Sequence, residues 1–231
     1  MPNAADPLIT RIEPLRPRGL KVLVHTDSGE PFEIMLEALE RSRLGVGDRL
    51  PSDSRQHLLK HDGEVRVRDA AFNLLSYRAR TRTELKRRLR QKGFTPEAID
   101  LCLDRLQERG FLDDQAVAAA FVRDRLRHRP RGRRRLSSEL RAKGVPAELA
   151  NSTIEQVFKD EAVDDSALAK GVVEAWLRRQ NQDVLDALAD EGRSPEREKA
   201  RRRLYGHLTR RGFGGTPLQE AMADAAEMAG D

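Results

Sequence analysis

One signature recurs three times in this 231-residue chain, and a recurrence of that kind constrains the fold more than any single motif does. Leu85, Leu89 and Lys92-Gly93-Phe94 reappear as Leu136, Leu140 and Lys143-Gly144-Val145, and again as Leu204, Leu208 and Arg211-Gly212-Phe213. Leucines four apart share one helix face. A cation near the negative helix end, followed by a glycine free to take positive φ, then stops the helix. Each copy continues into another helix start, Thr95-Pro96-Glu97, Pro146-Ala147-Glu148 and Thr216-Pro217. The pattern predicts a mainly α chain: tandem three-helix repeats forming an elongated, curved array, with a small N-terminal region that contains a β-hairpin. A lone bundle of about 45 to 50 residues is marginal, and stacking on neighbours relieves this.

The expected boundaries are 1–63 for the N-terminal region, 64–110 and 111–160 for repeats one and two, and 161–231 for repeat three. Gly93 and Gly144 are 51 residues apart but Gly144 and Gly212 are 68 apart, which places an insertion near 180–194. There Asn181-Gln182-Asp183 and Asp190-Glu191-Gly192 flank a short helix signal, Val184-Leu185-Leu188. In the N-terminal region Leu8 to Ile12 reads as a strand, and Leu20 to His25 and Pro31 to Ile34 as a hairpin turned by Asp27-Ser28-Gly29-Glu30. A helix over Leu36 to Leu44 should end at Gly45-Val46-Gly47-Asp48. A second, from Ser52 or Asp53, should reach His61 and break at Asp62-Gly63.

In the repeats, Val67, Ala70, Ala71, Leu74 and Leu75 give an amphipathic helix ending near Tyr77, and Thr83 is expected to cap the next. Thr95 should cap a helix buried through Ile99, Cys102, Leu103 and Leu106. Asp113 should cap the first helix of repeat two, with Leu112 stapled onto Val117, and the pair Asp164-Asp165 marks the matching start in repeat three. Trp176 shares a face with Val172 and Val173 and reads as core. The acidic tail of Glu220, Asp224, Glu227 and Asp231 is expected to fray.

The formal charge of +5 conceals strong segregation. Residues 78–92, 123–143 and 197–211 carry net charges of +7, +8 and +6, leaving −16 for the rest of the chain. Basic charge at corresponding places is the footprint of a polyanion ligand. The candidate contacts are Arg82, Lys86, Arg87, Arg90 and Lys92; Arg123, Arg127, Arg129, Arg131, Arg133, Arg134, Arg135, Arg141 and Lys143; and Arg201, Arg202, Arg203 and Arg210. Pro130 and Gly132 stop a long helix, leaving arginines on what reads as a mobile loop able to follow a phosphate backbone. Replacing Arg133, Arg134 and Arg135 with alanine is expected to weaken binding with little effect on melting, since Leu136 and Leu140 anchor that helix.

A single cysteine excludes an internal disulfide framework and a cysteine-based zinc site. His25, His57 and His61 are scattered, the paired acids fall at helix starts, and no catalytic group, metal or cofactor is expected. Neither an apolar run of membrane-spanning length nor a signal pattern at Met1-Pro2-Asn3-Ala4-Ala5-Asp6 is present, so a cytoplasmic protein is expected.

The residues Gly110-Phe111-Leu112-Asp113-Asp114, Phe121-Val122 with Arg123 and Arg125, Gly132 with Arg135-Leu136, and Glu139-Leu140 with Lys143-Gly144-Val145 resemble the RecX family of bacterial recombination regulators. The likeness extends through Leu74-Leu75, Arg82-Thr83-Glu84-Leu85, Leu89 and Lys92-Gly93-Phe94-Thr95-Pro96. It is good over 66–158 and weaker over 164–225, where the insertion and Gly212-Phe213-Gly214-Gly215 depart from the pattern. The resemblance implies a monomeric regulator, not an enzyme, that contacts the RecA filament and single- and double-stranded DNA. It would limit filament extension, ATPase activity and strand exchange. The rival reading is a plain DNA- or RNA-binding module without a RecA partner. A nuclease stands further off, since it needs clustered carboxylates for metal.

Overall fold

The computed structural model describes residues 6–17, 19–190 and 192–230. The first five residues of the N-terminal reading, Glu191 of the insertion and Asp231 of the tail therefore lie outside the described residues. The chain divides into two compact units, Met1–Leu112 and Asp113–Asp231.

The first unit opens with an antiparallel sheet of β1 (Ile9–Pro14), β2 (Lys21–Thr26) and β3 (Phe32–Met35), in that order. The expected hairpin is β2 and β3, which pair Val22 with Ile34 and Val24 with Phe32. The strand expected at Leu8 to Ile12 joins the other side of β2, with an irregularity in register between Ile9 and Arg11. Ile9, Val22, Val24 and Ile34 are buried with Ala38 and Leu39 of α1 (Leu36–Ser42). That helix stops ahead of the expected glycines: Arg43 takes a left-handed φ of 52°, and its N–H donates to the Glu40 carbonyl.

Helix α2 (Ser52–Tyr77) overturns the expected break at Asp62-Gly63. Asp62 points inward, where it accepts a 2.6 Å bond from the Met35 N–H and another from Arg66. Its charge is thus met by partners without interrupting the helix. Glycine in a helix interior costs about 1 kcal/mol. Packing on both sides outweighs this, with Leu58 and Val65 in the sheet's core and Val67 and Ala71 in the core of the first repeat. One helix serves two cores.

The first repeat adds α3 (Arg82–Gln91) and α4 (Pro96–Glu108). Thr81, not Thr83, caps α3, its hydroxyl accepting from the Glu84 N–H at 3.1 Å. Thr95 caps α4 as expected. Leu112, read as a staple for Val117, is buried instead in this repeat's core with Leu103 and Leu106. Cys102 lies in the same core, and burial pushes its thiol pKa up.

In the second unit, α5 (Asp114–His128), α6 (Arg133–Ala142) and α7 (Ala147–Asp160) form one bundle. The other is built from α8 (Asp165–Leu177), α9 (Gln182–Ala189), α10 (Pro195–Arg210), α11 (Gly215–Asp224) and α12 (Glu227–Gly230). Asp113 and Asp164 cap α5 and α8, accepting from Ala116 N–H at 2.8 Å and Ser166 N–H at 2.9 Å. The short helix signal Val184-Leu185-Leu188 forms α9, packed through these residues onto the core that holds Trp176.

The recurring signature becomes one recurring turn. Leu85 and Leu89, Leu136 and Leu140, and Leu204 and Leu208 are all fully buried. After each pair Gly93, Gly144 and Gly212 take φ of 86°, 83° and 87°. The next N–H then reaches back to the second leucine: Phe94 to Leu89 at 3.4 Å, Val145 to Leu140 and Phe213 to Leu208 at 3.1 Å.

Gly212 carries a second constraint. The Gly132 N–H donates to the Arg211 carbonyl at 2.9 Å, and a Cβ on Gly132 would fall 2.5 Å from the Gly212 carbonyl oxygen. A Cβ on Gly212 would overlap the backbone of Arg135, whereas one on Gly93 meets nothing within 4 Å. Gly93→Ala should therefore cost only the left-handed strain, about 1 to 2 kcal/mol. Gly212→Ala should cost at least twice as much, a difference that urea unfolding of the two variants measures.

Candidate nucleic-acid interface

Several of the expected contact residues are held by the fold. Arg82 pairs with Asp104 at 2.6 Å and Arg133 with Glu155 at 2.5 Å. These are the same pair in two repeats, each tying the middle helix to the third across 22 residues. Ala223 stands at the matching place in repeat three, opposite Arg201 in the repeat pattern. Arg133 also donates to Asp165 at 2.7 Å and lies 4.1 Å from the Phe158 ring centre. Burial works against its charge, but the hydrogen bond and charge of Asp165, and then of Glu155, outweigh it and raise its pKa.

Lys86 reaches Asp100 at 2.5 Å, and that hydrogen bond holds the Asp100 carboxyl below its ordinary pKa. Arg123 pairs with Glu161 at 2.8 Å, and Arg135 with Glu139 at 2.6 Å. Burial would raise the pKa of Glu139; hydrogen bonds from Arg135 and Arg125 more than reverse this. Lys143 sits 5.2 Å from the Phe121 ring centre, and Arg203 reaches Gln180 at 3.4 Å.

Most of the rest project outward, while Arg131 and Arg201 are half-buried. Among the described residues, Arg87, Arg90 and Lys92 carry no ion pair and are exposed around the Gly93 turn. Arg127, Arg129, Arg134 and Arg141 are exposed in repeat two, and Arg202 and Arg210 in repeat three. Within the second unit, Arg131, Arg134, Arg135 and Arg210 line an open groove of about 510 Å³ with Ser138 and Thr209. The segment expected to be a mobile loop forms one wall and is pinned: Gly132 bonds to Arg211, and Arg211 Nη1 donates to the Pro130 carbonyl at 3.3 Å.

Two arginines escaped the sequence reading. Arg211 stands where Lys92 and Lys143 stand in the other copies, so the repeat itself pointed to it. Arg179 follows α8, next to the insertion, where the repeat offers no counterpart. Exposed large aromatics among the described residues are Tyr77, Phe111 and Tyr205. The surface therefore suits charge attraction to a polyanion better than base stacking. The paired acids are accounted for by the fold, Asp113 and Asp164 as caps and Asp165 as the partner of Arg133. Among the described residues no group of three or more metal-ligating side chains occurs, and no helix is long and apolar enough to cross a membrane.

Two family models match: the first three-helix domain of RecX over residues 68–116 and the second over 113–154. The regulatory protein RecX of Mycolicibacterium smegmatis is 36% identical over 151 residues, 65% of this chain and 74% of that protein. That of Clostridium botulinum strain Alaska E43 is 24% identical over 217 residues, 94% of this chain and 95% of its own length. A crystal structure of regulatory protein RecX superposes with a TM-score of 0.66 at 20% identity, covering 96% of this chain and 98% of that one. RecX from Lactobacillus salivarius gives 0.56 at 18% identity over 71% of this chain and 97% of its own. At those identities the two structures speak for the fold.

The pairing of Arg133 corrects the expectation that alanine at 133 to 135 leaves melting unchanged. Arg133→Ala should lower stability by about 1 to 2 kcal/mol through its two carboxylates and the Phe158 ring. Arg134→Ala, at an exposed unpaired position, should stay within about 0.5 kcal/mol. Thermal melts of the two single variants check this.

Proposed function

This chain belongs to the RecX family of regulatory proteins, and from that premise we propose that it binds the RecA filament on DNA and limits its extension, its ATPase activity and strand exchange. It acts by occupying the filament and carries no chemistry of its own. One observation supports this above the others: among the described residues every repeat presents unpaired, exposed cations on or just after the helix that leads into its glycine turn, Arg87, Arg90 and Lys92 in the first, Arg134 and Arg141 in the second, Arg202 and Arg210 in the third. A fold that uses the same arginine to brace two repeats, yet leaves others free in all three, has positive charge to spend on a partner. Phosphates and acidic side chains are the partners such charge selects.

A DNA- or RNA-binding module without RecA would use the same cations, so the test must separate the two. Added substoichiometrically to RecA on single-stranded DNA, the chain should suppress ATP hydrolysis; intact DNA binding with no suppression would leave the plain binding module. Engagement of about six phosphates predicts that log affinity for DNA falls against log salt with a slope of about −5. A flat salt response in a filter-binding or anisotropy titration would remove both readings.

A further inference from the structure

A second cleft of the Asp113–Asp231 unit, about 500 Å³ in volume, opens where the α5–α6 loop meets α8 and α10. Arg129 and Arg131 face it from the loop, Arg179 from the end of α8, and His207 and Arg211 from α10 and its cap. Trp176 forms part of its wall. The chain has 38 acidic residues, yet none lines this cleft. Arg123, Arg125 and Arg133 of the same unit, also half-buried, are each matched with a carboxylate. Here none is.

The missing counter-charge is felt by the groups themselves. The Arg131 Nε is buried with no hydrogen-bond partner, an orphan donor of the sort that structures rarely leave. Burial, and then the charges of Arg131 and Arg179, lowers the pKa of Arg211. Burial, and then Arg211, Arg210, Arg131 and Arg179, also holds His207 below its ordinary pKa. The loop that carries Arg131 is nonetheless fixed beside Arg211, because the bonds from Gly132 to Arg211 and from Arg211 to Pro130 lock it against α10; the exposed Arg179 faces it from the end of α8. Cations packed without a counter-ion and held there by backbone bonds are preorganised for an anion.

We propose that this cleft binds one terminal phosphate group, held by Arg131, Arg179 and Arg211 beside Trp176. Three guanidinium groups line one small cleft, and even with Arg211 Nη1 given to the Pro130 carbonyl they offer more donors than a carboxylate accepts. A phosphate monoester or free phosphate, with about two charges and at least three acceptor oxygens, meets them better than a mid-strand phosphodiester with one charge and two free oxygens. The proposal does not depend on RecA.

Trp176 is the only tryptophan in the chain, so its fluorescence reports on this cleft directly. The full chain is titrated with inorganic phosphate, with ionic strength held constant by sodium chloride. A saturable change is expected with phosphate and none with chloride alone. Arg131→Gln with Arg179→Gln should weaken it about tenfold or more, the loss of one to two charge-assisted bonds, at unchanged helicity. A strand-end source is identified if an oligonucleotide bearing a 5′ phosphate saturates at lower concentration than inorganic phosphate, and free phosphate if the order is reversed. An unphosphorylated oligonucleotide saturating at as low a concentration as inorganic phosphate and as the phosphorylated strand, or a wild-type signal no different from the chloride control, overturns the proposal whether or not the double variant folds.

Discussion

The helical part of the chain depends on a backbone hydrogen bond that spans a left-handed glycine. Without a side chain at Gly93, Gly144 or Gly212, the chain reverses within two residues, and the following N–H caps the carbonyl of a leucine already buried. The bond and the leucine act together: the turn fixes where the helix ends, and the leucine fixes which way it faces. The third helix of each repeat then has one direction available. The same device closes α4 at Gly110, where the Phe111 N–H reaches the Leu106 carbonyl at 2.8 Å. It closes α7 at Ala162, which adopts a φ of 46° with no glycine to ease it, the Val163 N–H reaching Phe158 at 2.9 Å.

Because this device is local, most of the fold could be read in the sequence. Leucine spacing, the cation and the glycine lie within nine residues, and the caps at Thr95, Asp113 and Asp164 lie within three of the N–H groups they serve. The misreadings arise where distant packing overrides a local signal. Asp62-Gly63 looks like a break until Met35, 27 residues earlier, supplies the N–H that Asp62 accepts from. Leu112 looks like a staple for the helix after it and is taken up by the core before it. Thr83 lost to Thr81 for a different reason: Thr81 to Glu84 has the spacing of a capping box, which was visible but lay further from the first leucine.

The candidate interface was legible as charge and illegible as geometry. A run such as Arg133-Arg134-Arg135 gives no sign of which member is committed, since the deciding carboxylates of Arg133 lie 22 and 32 residues away. Neighbours in sequence thus divide into a brace, an exposed cation and a partner of Glu139. Gly132 was read as freedom and proved to be close contact: its missing Cβ is what lets the start of α6 meet the end of α10. That contact brings Arg131 near Arg211, which no spacing rule could have joined.

The division of the chain at Leu112 and Asp113 also sorts two chromophoric and reactive groups that occur once each. The sole thiol, Cys102, is buried in the first unit and the sole indole, Trp176, in the second. The two units therefore carry separate built-in clocks. Thiol labelling times the opening of the first and indole emission follows the second, so whether they melt as one cooperative body or as two can be observed in the unaltered chain.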